Sequence, residues 1–285
     1  MAYCKADRTF EADIPRHVEK IDLKEKYSIN ESPRHMFVKY LLDLKVTEAL
    51  ARSNGKIERA DEIKLWFDKL QDLLRKIFDD NSLELIFEEE TYTFLIKERN
   101  KQPFDFNSLS SGFAAVLDVV VDIIIRMEKT TKCTFDFKVP GIVLIDEIET
   151  HLHLDMQKNI LELLTGIFPN VQFIVSTHSP FILNSLDNVV IYDLENNIKV
   201  ENGLSNIPYY GIVEGYFKAN LMSNTLKAKF ERYKEIVTKK LITDEEFEEI
   251  AALEMFLNEI PDYLALDLTT EYQRIKMEFE GREDI

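Results

Sequence analysis

Cysteine is nearly absent: Cys4 and Cys133 are the only two in the chain. Neither is spaced for a metal knuckle or a disulfide framework, so a reducing cytosol is the expected setting. Positive charge is also scarce. Against 35 Lys and Arg stand 52 Asp and Glu, a formal net charge of -17, which excludes a broad basic surface for nucleic acid or anionic lipid while leaving a local basic groove open. Long apolar runs are missing too. The most apolar stretch, 116–125, is broken by Asp118 and Asp122 and is far shorter than the roughly 20 residues a membrane-spanning helix needs. Residues 1–10 carry Lys5, Asp7 and Arg8 with no apolar core behind them, so no secretory signal is read.

What remains is a globular composition, 45% hydrophobic over 285 residues, enough to bury one large or two small cores. Residues 1–32 show scattered charge and a short predicted strand at Ala2–Cys4. From 34 onward Phe37, Leu41, Leu44 and Leu50 recur at helical spacing until Ser53, Asn54 and Gly55 stop the pattern. Ile63, Trp66, Leu70, Leu73, Leu74 and Ile77 mark one face of a second helix, and the two are expected to pair as a hairpin. Two strands, 83–87 and 92–96, follow around an acidic turn. A small-residue loop at 107–112 then opens a helix over 113–127, on which Asp118 and Asp122 share a face and read as a solvated or paired edge.

Beyond that the chain alternates: a strand ending at Ile145, a helix over 156–168, a strand over 171–175, a short helix after Pro180 and a strand over 189–192. Nearly all-apolar strands alternating with helices argue for an α/β fold whose parallel sheet is covered on both faces. After 209 the alternation stops. Leu226, Phe230, Tyr233 and Val237 open a helical pattern that runs to the end, with Thr243 and Glu246 spaced as a capping box. The expected organisation is an N-terminal lobe remnant (1–32), a helical hairpin (33–80), a core (81–211) and a helical extension (212–285).

The chemistry concentrates at strand ends. Ile142, Val143, Leu144 and Ile145 run into Asp146 and Glu147, and a buried strand that delivers two acids at its carboxyl end suits a nucleotide hydrolase, with one acid for a magnesium ion and one for the attacking water. The next strand leads into Ser176, Thr177, His178, Ser179 and Pro180. In a parallel sheet both sets leave the same edge, so Asp146, Glu147 and His178 can converge. Taken singly, a histidine after a strand is more often a plain loop residue. The loop Leu109, Ser110, Ser111, Gly112 opens a helix and offers backbone amides and hydroxyls to a phosphate.

In that order, residues 109–112 resemble the signature loop of ABC-type ATPases, residues 142–147 their Walker B strand, and residues 176–180 their switch-histidine loop. The chain most resembles the RecF and SMC-like AAA-family ATPases, and residues 149–157 with their His-Leu-His are similar to the corresponding segment of overcoming-lysogenization-defect, Septu and retron phage-defence ATPases. The resemblance covers about 1–210. It implies a partial P-loop NTPase core that uses ATP and Mg2+, with Asp146 helping to hold the magnesium, Glu147 polarising water and His178 contacting the γ-phosphate. It also implies a homodimer or higher oligomer that sandwiches ATP. Ser110, Ser111 and Gly112 of one protomer close over the nucleotide of the other, and His151 and His153 sit in the loop linking the sites. A metal-ligand reading of His151 and His153 carries less weight, because residues two apart diverge on a helix.

The sequence departs from that family. Ser111 replaces the glycine usual in transporters, and Phe113 stands where they have a polar residue. More seriously, the phosphate-cradling pattern Gly-x4-Gly-Lys-Ser/Thr occurs nowhere: the sole Gly-Lys pair, Gly55-Lys56, lacks the upstream glycine and precedes Ile57. The expected explanations are a lost N-terminal part, a loop supplied by a separate polypeptide, or a degenerate ATPase kept as a scaffold. The leading expectation is an ABC-type ATPase that controls a partner in nucleic-acid processing or phage defence. The alternative is a non-enzymatic assembly subunit that docks an effector such as a nuclease, and a nuclease using the acids and histidines is weaker, for lack of a second metal-binding cluster. Direct nucleic-acid binding stays open.

Overall fold

The computed structural model describes residues 1–28, 31–131, 134–217, 222–260 and 266–282. Cys133 lies outside the described residues. The chain divides into two compact units, Met1–Tyr209 and Tyr210–Ile285.

In the first unit, β1 (Ala2–Cys4), β5 (Gly141–Ile145) and β6 (Val171–Val175) form a parallel sheet in the order β1-β5-β6. Val143 aligns with Ala2 and Phe173, and Ile145 with Cys4 and Val175. Successive residues alternate faces, so Ala2, Cys4, Val143 and Ile145 turn inward, where all four are buried. Among the described residues the expected cover on both faces is not found. Ile142 is 42% and Ile174 51% exposed, on the opposite face from Val143 and Ile145.

Between β1 and β5 the chain builds α1 (Phe37–Ser53), α2 (Ile57–Phe78), the strands β2 (Glu84–Glu88), β3 (Thr93–Lys97) and β4 (Phe104–Asp105), and α3 (Ser111–Thr131). α1 and α2 pair as expected, and they also dock on α3. Trp66 Nε1 and the Tyr40 hydroxyl donate to the two carboxylate oxygens of the buried Glu128 at 3.0 and 2.8 Å. β2 and β3 are the expected hairpin, each one residue later than the sequence pattern suggests, because Glu84 pairs with Lys97 and Glu88 with Thr93. α3 is the spine of the core: Ala115, Val116, Val119, Val120, Ile123 and Ile124 are all buried.

The same burial overturns the solvated half of the Asp118 and Asp122 expectation. The two acids are 0% and 1% exposed, and both are paired, Asp118 with Arg34 Nε at 2.5 Å and Asp122 with Arg126 Nε at 2.6 Å. Burial pushes the Asp118 carboxyl up to about 7 and raises Asp122 as well. It also takes the neighbouring Cys4 thiol up to about 12, which leaves the thiol protonated and inert.

After β5 come α4 (Leu154–Ile167), β6 and the one-turn α5 (Pro180–Leu183), followed by β7 (Val190–Asp193) and β8 (Ile198–Glu201). β7 does not extend the parallel sheet. It pairs antiparallel with β8 as a separate two-stranded ribbon. A three-residue turn of helix, α6 (Tyr209–Gly211), follows.

The second unit holds α7 (Asn224–Val237), α8 (Asp244–Asn258) and α9 (Leu266–Glu280), with Phe230, Tyr233, Ile250, Leu257 and Tyr272 in its core. The capping box at the start of α8 is present. Thr243 Oγ1 accepts from the Glu246 N–H at 3.3 Å, and Glu246 Oε2 accepts from the Thr243 N–H at 3.1 Å. Among the described residues no helix is long and apolar enough to cross a membrane.

Candidate functional site

β5 and β6 lie side by side and in register, so their carboxyl ends deliver Asp146 and Ser176 to the same edge. Ser176 does two things there. Its hydroxyl donates to Asp146 Oδ1 at 2.6 Å and accepts from the Glu147 N–H at 2.8 Å. The backbone reinforces the join, since Ser176 N–H donates to the Ile145 carbonyl at 2.9 Å and Ile148 N–H to the Ser176 carbonyl at 3.1 Å. From the sequence alone Ser176 is a loop residue without a function. Its place directly after an apolar strand, as with Asp146, was the available signal.

Glu147 is held in an unusual backbone. Its φ is +44°, in the left-handed region that non-glycine residues enter at a cost of about 1–3 kcal/mol. The turn directs the side chain outward, so Glu147 is exposed while Ile148 behind it is buried. His151, with φ +68°, forms a second left-handed position four residues later. His151 and His153 therefore sit on a turn and at the N-cap of α4, not within a helix; the divergence argued for a helix does not apply to them.

Glu149 brings His178 to the acids. Its Oε1 accepts from the His178 N–H at 2.7 Å, which ties the histidine loop to the acid loop. The His178 ring stays exposed. Ser179 Oγ caps α5 by accepting from Phe181 N–H at 3.2 Å and donates to Gln157 Oε1 at 2.7 Å, which fixes the far side of the same loop.

The 109–112 loop forms a second cluster. α3 starts at Ser111, two residues ahead of its expected start, and its first bond runs from Ala114 N–H to the Ser110 carbonyl at 2.9 Å. Ser110 and Ser111 are exposed and Gly112 is buried. A methyl group on Gly112 would stand 3.0 Å from Met156 Sδ, 3.3 Å from the His151 carbonyl oxygen and 3.8 Å from His153 Cδ2, so the absence of a side chain lets α3 meet the loop carrying both histidines. Phe113, out of place for a transporter signature, stacks on Phe78 with ring centroids 4.2 Å apart and pins the start of α3 to the end of α2. Among the described residues no hydrogen bond or ion pair joins Ser110 or Ser111 to Asp146, Glu147 or His178.

Arg8, one of the scattered charges of the N-terminal residues, lies beneath the acids. Arg8 is 2% exposed. Its Nη1 donates to the Asp146 carbonyl at 2.7 Å, and its Nη2 to the carbonyls of Glu147 at 2.9 Å and Ile148 at 3.0 Å. Burial lowers its pKa while Asp118, Glu149 and Asp146 oppose that shift. No local pattern marks Arg8, because these three carbonyls lie 138 to 140 residues away.

Among the described residues no three His, Cys, Asp or Glu side chains gather into a metal-holding group, so any cation would rest on Asp146 and on ligands from outside these side chains. Asp146 keeps Oδ2 without a hydrogen bond among the described residues while Ser176 orients Oδ1, and hard carboxylate oxygens are the ligand type magnesium takes.

A family model described as "AAA domain, putative AbiEii toxin, Type IV TA system" matches residues 5–184. The chain is similar to "Retron Ec83 probable ATPase" of Escherichia coli, 38% identical over 37% of this chain and 20% of that protein. It is also similar to "Septu protein PtuA" of Bacillus mycoides (strain KBAB4), 39% identical over 31% of this chain and 12% of that protein. The matched stretches thus span a fifth or less of these two relatives' lengths. Among solved structures it is similar to one described as "Structural biochemistry of ATP-driven dimerization and DNA stimulated activation of SMC ATPases", with TM-score 0.35 and 19% identity over 53% of this chain and 89% of that one.

Proposed function

The chain belongs to this AAA-domain family, and from that premise we propose that it supplies the water-activating half of an ABC-type ATP-hydrolysing site. The observation that carries the reading is Ser176, one hydroxyl that bonds both the Asp146 carboxylate and the Glu147 backbone. It fixes two acids of different role on one sheet edge. Asp146 would hold magnesium, which when bound neutralises charge on the phosphate oxygens. Glu147 accepts a proton from the attacking water, and its outward turn leaves Oε1 available while the Thr150 hydroxyl donates to Oε2 at 3.4 Å. His178, tethered through Glu149, faces the γ-phosphate.

Ser110, Ser111 and Gly112 serve the nucleotide of a second protomer in this reading. The two exposed serines at this helix start, unattached to their own acids, support action across a dimer, where the positive end of α3 and its hydroxyls meet phosphate. His153, against Gly112, joins the two sites. The phosphates themselves require a glycine-lysine loop, and these 285 residues contain none, so that loop comes from outside them. The name of one matched relative, a probable retron ATPase, supports the ATPase reading, and the resemblance to retron and Septu phage-defence ATPases extends it to a role in which ATP-driven closure controls an effector such as a nuclease.

The missing loop also favours a second reading, an assembly subunit that docks an effector through its acidic helical unit and turns over no nucleotide. Phosphate release from Mg-ATP separates the two, measured in a protein that unites this chain with a glycine-lysine loop. Turnover that requires both Asp146 and Glu147 supports the ATPase, and turnover indifferent to them sinks it.

A further inference from the structure

Arg8 converges on a strained loop. Besides the carbonyls of Asp146, Glu147 and Ile148, Nη2 reaches the Thr150 carbonyl at 3.3 Å and Nη1 the Lys5 carbonyl at 3.1 Å. Four carbonyls of one short segment, 146–150, thus point at a single buried guanidinium. That segment includes Glu147 and runs up to His151, the two left-handed residues of the turn. A backbone in that conformation persists only where its surroundings hold it, and oxygens gathered around one point repel one another unless a cation with several donors sits among them. Arg presents five N–H groups in a planar fork, a set that lysine's point charge does not reproduce. The small cavity lined by Arg8, Val116, Ile148 and Leu152 adds no competing polar side chain.

We propose that Arg8 is a positioning residue, a buried guanidinium anchor that holds the 146–150 carbonyls in the one conformation that presents Glu147 outward and, through Glu149, sets the His178 loop. Arg8 touches no reacting group and acts through the backbone. Glu149 stands on the gripped segment and accepts the His178 N–H, so loosening the anchor frees both strand ends together. The inference rests on reading Asp146 and Glu147 as the hydrolytic acids, but its test contains no nucleotide.

Hydrogen exchange followed by mass spectrometry on the full chain makes that test. The amides of Glu147, Ile148, Thr150 and Leu152 are bonded within the loop or to Ser176, and that of His178 to Glu149, so each reports on the anchor. In Arg8→Ala these amides exchange at least tenfold faster while α1 and α2 keep their wild-type rates. Arg8→Lys, which retains one charged donor group, gives a smaller acceleration at the same sites. If Arg8→Ala does not fold, Arg8→Lys alone decides, with acceleration confined to the loop supporting the proposal. An unchanged loop, or equal acceleration of the loop and α1–α2, overturns it. Failure of the ATPase reading would instead appear as phosphate release indifferent to Glu147, with the exchange pattern intact.

Discussion

Ser176 Oγ lies 2.6 Å from Asp146 Oδ1, and the same oxygen takes the Glu147 N–H at 2.8 Å. Parallel pairing of β5 with β6 produces this relationship, because the register that aligns Ile145 with Val175 puts the next residue of each strand at the same height. One hydroxyl thereby orients the acid assigned to metal and fixes the backbone of the acid assigned to water.

Ser176→Ala removes a donor and an acceptor at once. Urea unfolding is expected to show a loss of about 1 kcal/mol, the net worth of a typical hydrogen bond, and under the proposed function a protein that unites this chain with a glycine-lysine loop is expected to lose turnover more than nucleotide affinity. An affinity loss with unchanged turnover would contradict the role given to Ser176.

Gly112→Ala places a methyl group against Met156 Sδ and the His151 carbonyl. The thioether can swing aside, but the carbonyl belongs to a turn that is already left-handed. Overpacking of this kind costs about 1–3 kcal/mol. Thermal melting of Gly112→Ala and of Gly112→Ala with Met156→Ala checks this, with the second change recovering part of the loss. An unchanged Tm in the single variant would show that α3 and the histidine loop are not tightly packed.

Strand ends and apolar runs were open to sequence reading because they are local. β1 and β6 have the predicted limits, and Asp146, Glu147 and His178 stand on one sheet edge because the parallel alternation was recognisable. What escaped was non-local. Arg8 and its partners are separated by most of the family match, and Glu149 looked like one acid among many. Asp122 and Arg126, four residues apart on α3, offered a helical pairing signal. Asp118 finds Arg34 from another element, and no spacing announces that. The uncovered side of Ile142 and Ile174 shows the same limit, since an apolar strand says it prefers burial and not whether a neighbour supplies it.

If the proposed ATP-sandwich dimer operates, Ser110→Arg abolishes turnover in a protein that unites this chain with a glycine-lysine loop, as does Glu147→Gln, yet a mixture of the two restores part of it. In the mixed dimer one site combines an intact serine loop with an intact Glu147. Phosphate release from the mixture checks this, and no recovery in a preparation shown to contain mixed dimers would place the serine loop's action within its own protomer.

Asp118 gives a pH signature. Burial raises its carboxyl from 3.8 to about 7, against the opposing pull of Arg34 and with a further push from Asp122. The folded chain therefore binds this proton more tightly than the unfolded chain, so across that interval the group's contribution to stability falls as pH rises. Asp118→Asn removes the slope. Its Tm relative to wild type is expected to climb between about pH 5 and about pH 7, and a difference that stays constant over that range would contradict the buried, proton-holding state.

In the proposed site Glu147 activates water and does not hold nucleotide. Glu147→Gln keeps the shape and removes the base, so its effect should fall on chemistry alone. The deciding measurement sets Mg-ATP affinity beside single-turnover hydrolysis, in the protein that joins this chain to a phosphate loop. The account predicts wild-type affinity with hydrolysis reduced by about 10²–10⁴-fold, the usual worth of a positioned base. Undiminished hydrolysis, or a loss of affinity that accounts for the whole effect, would contradict it.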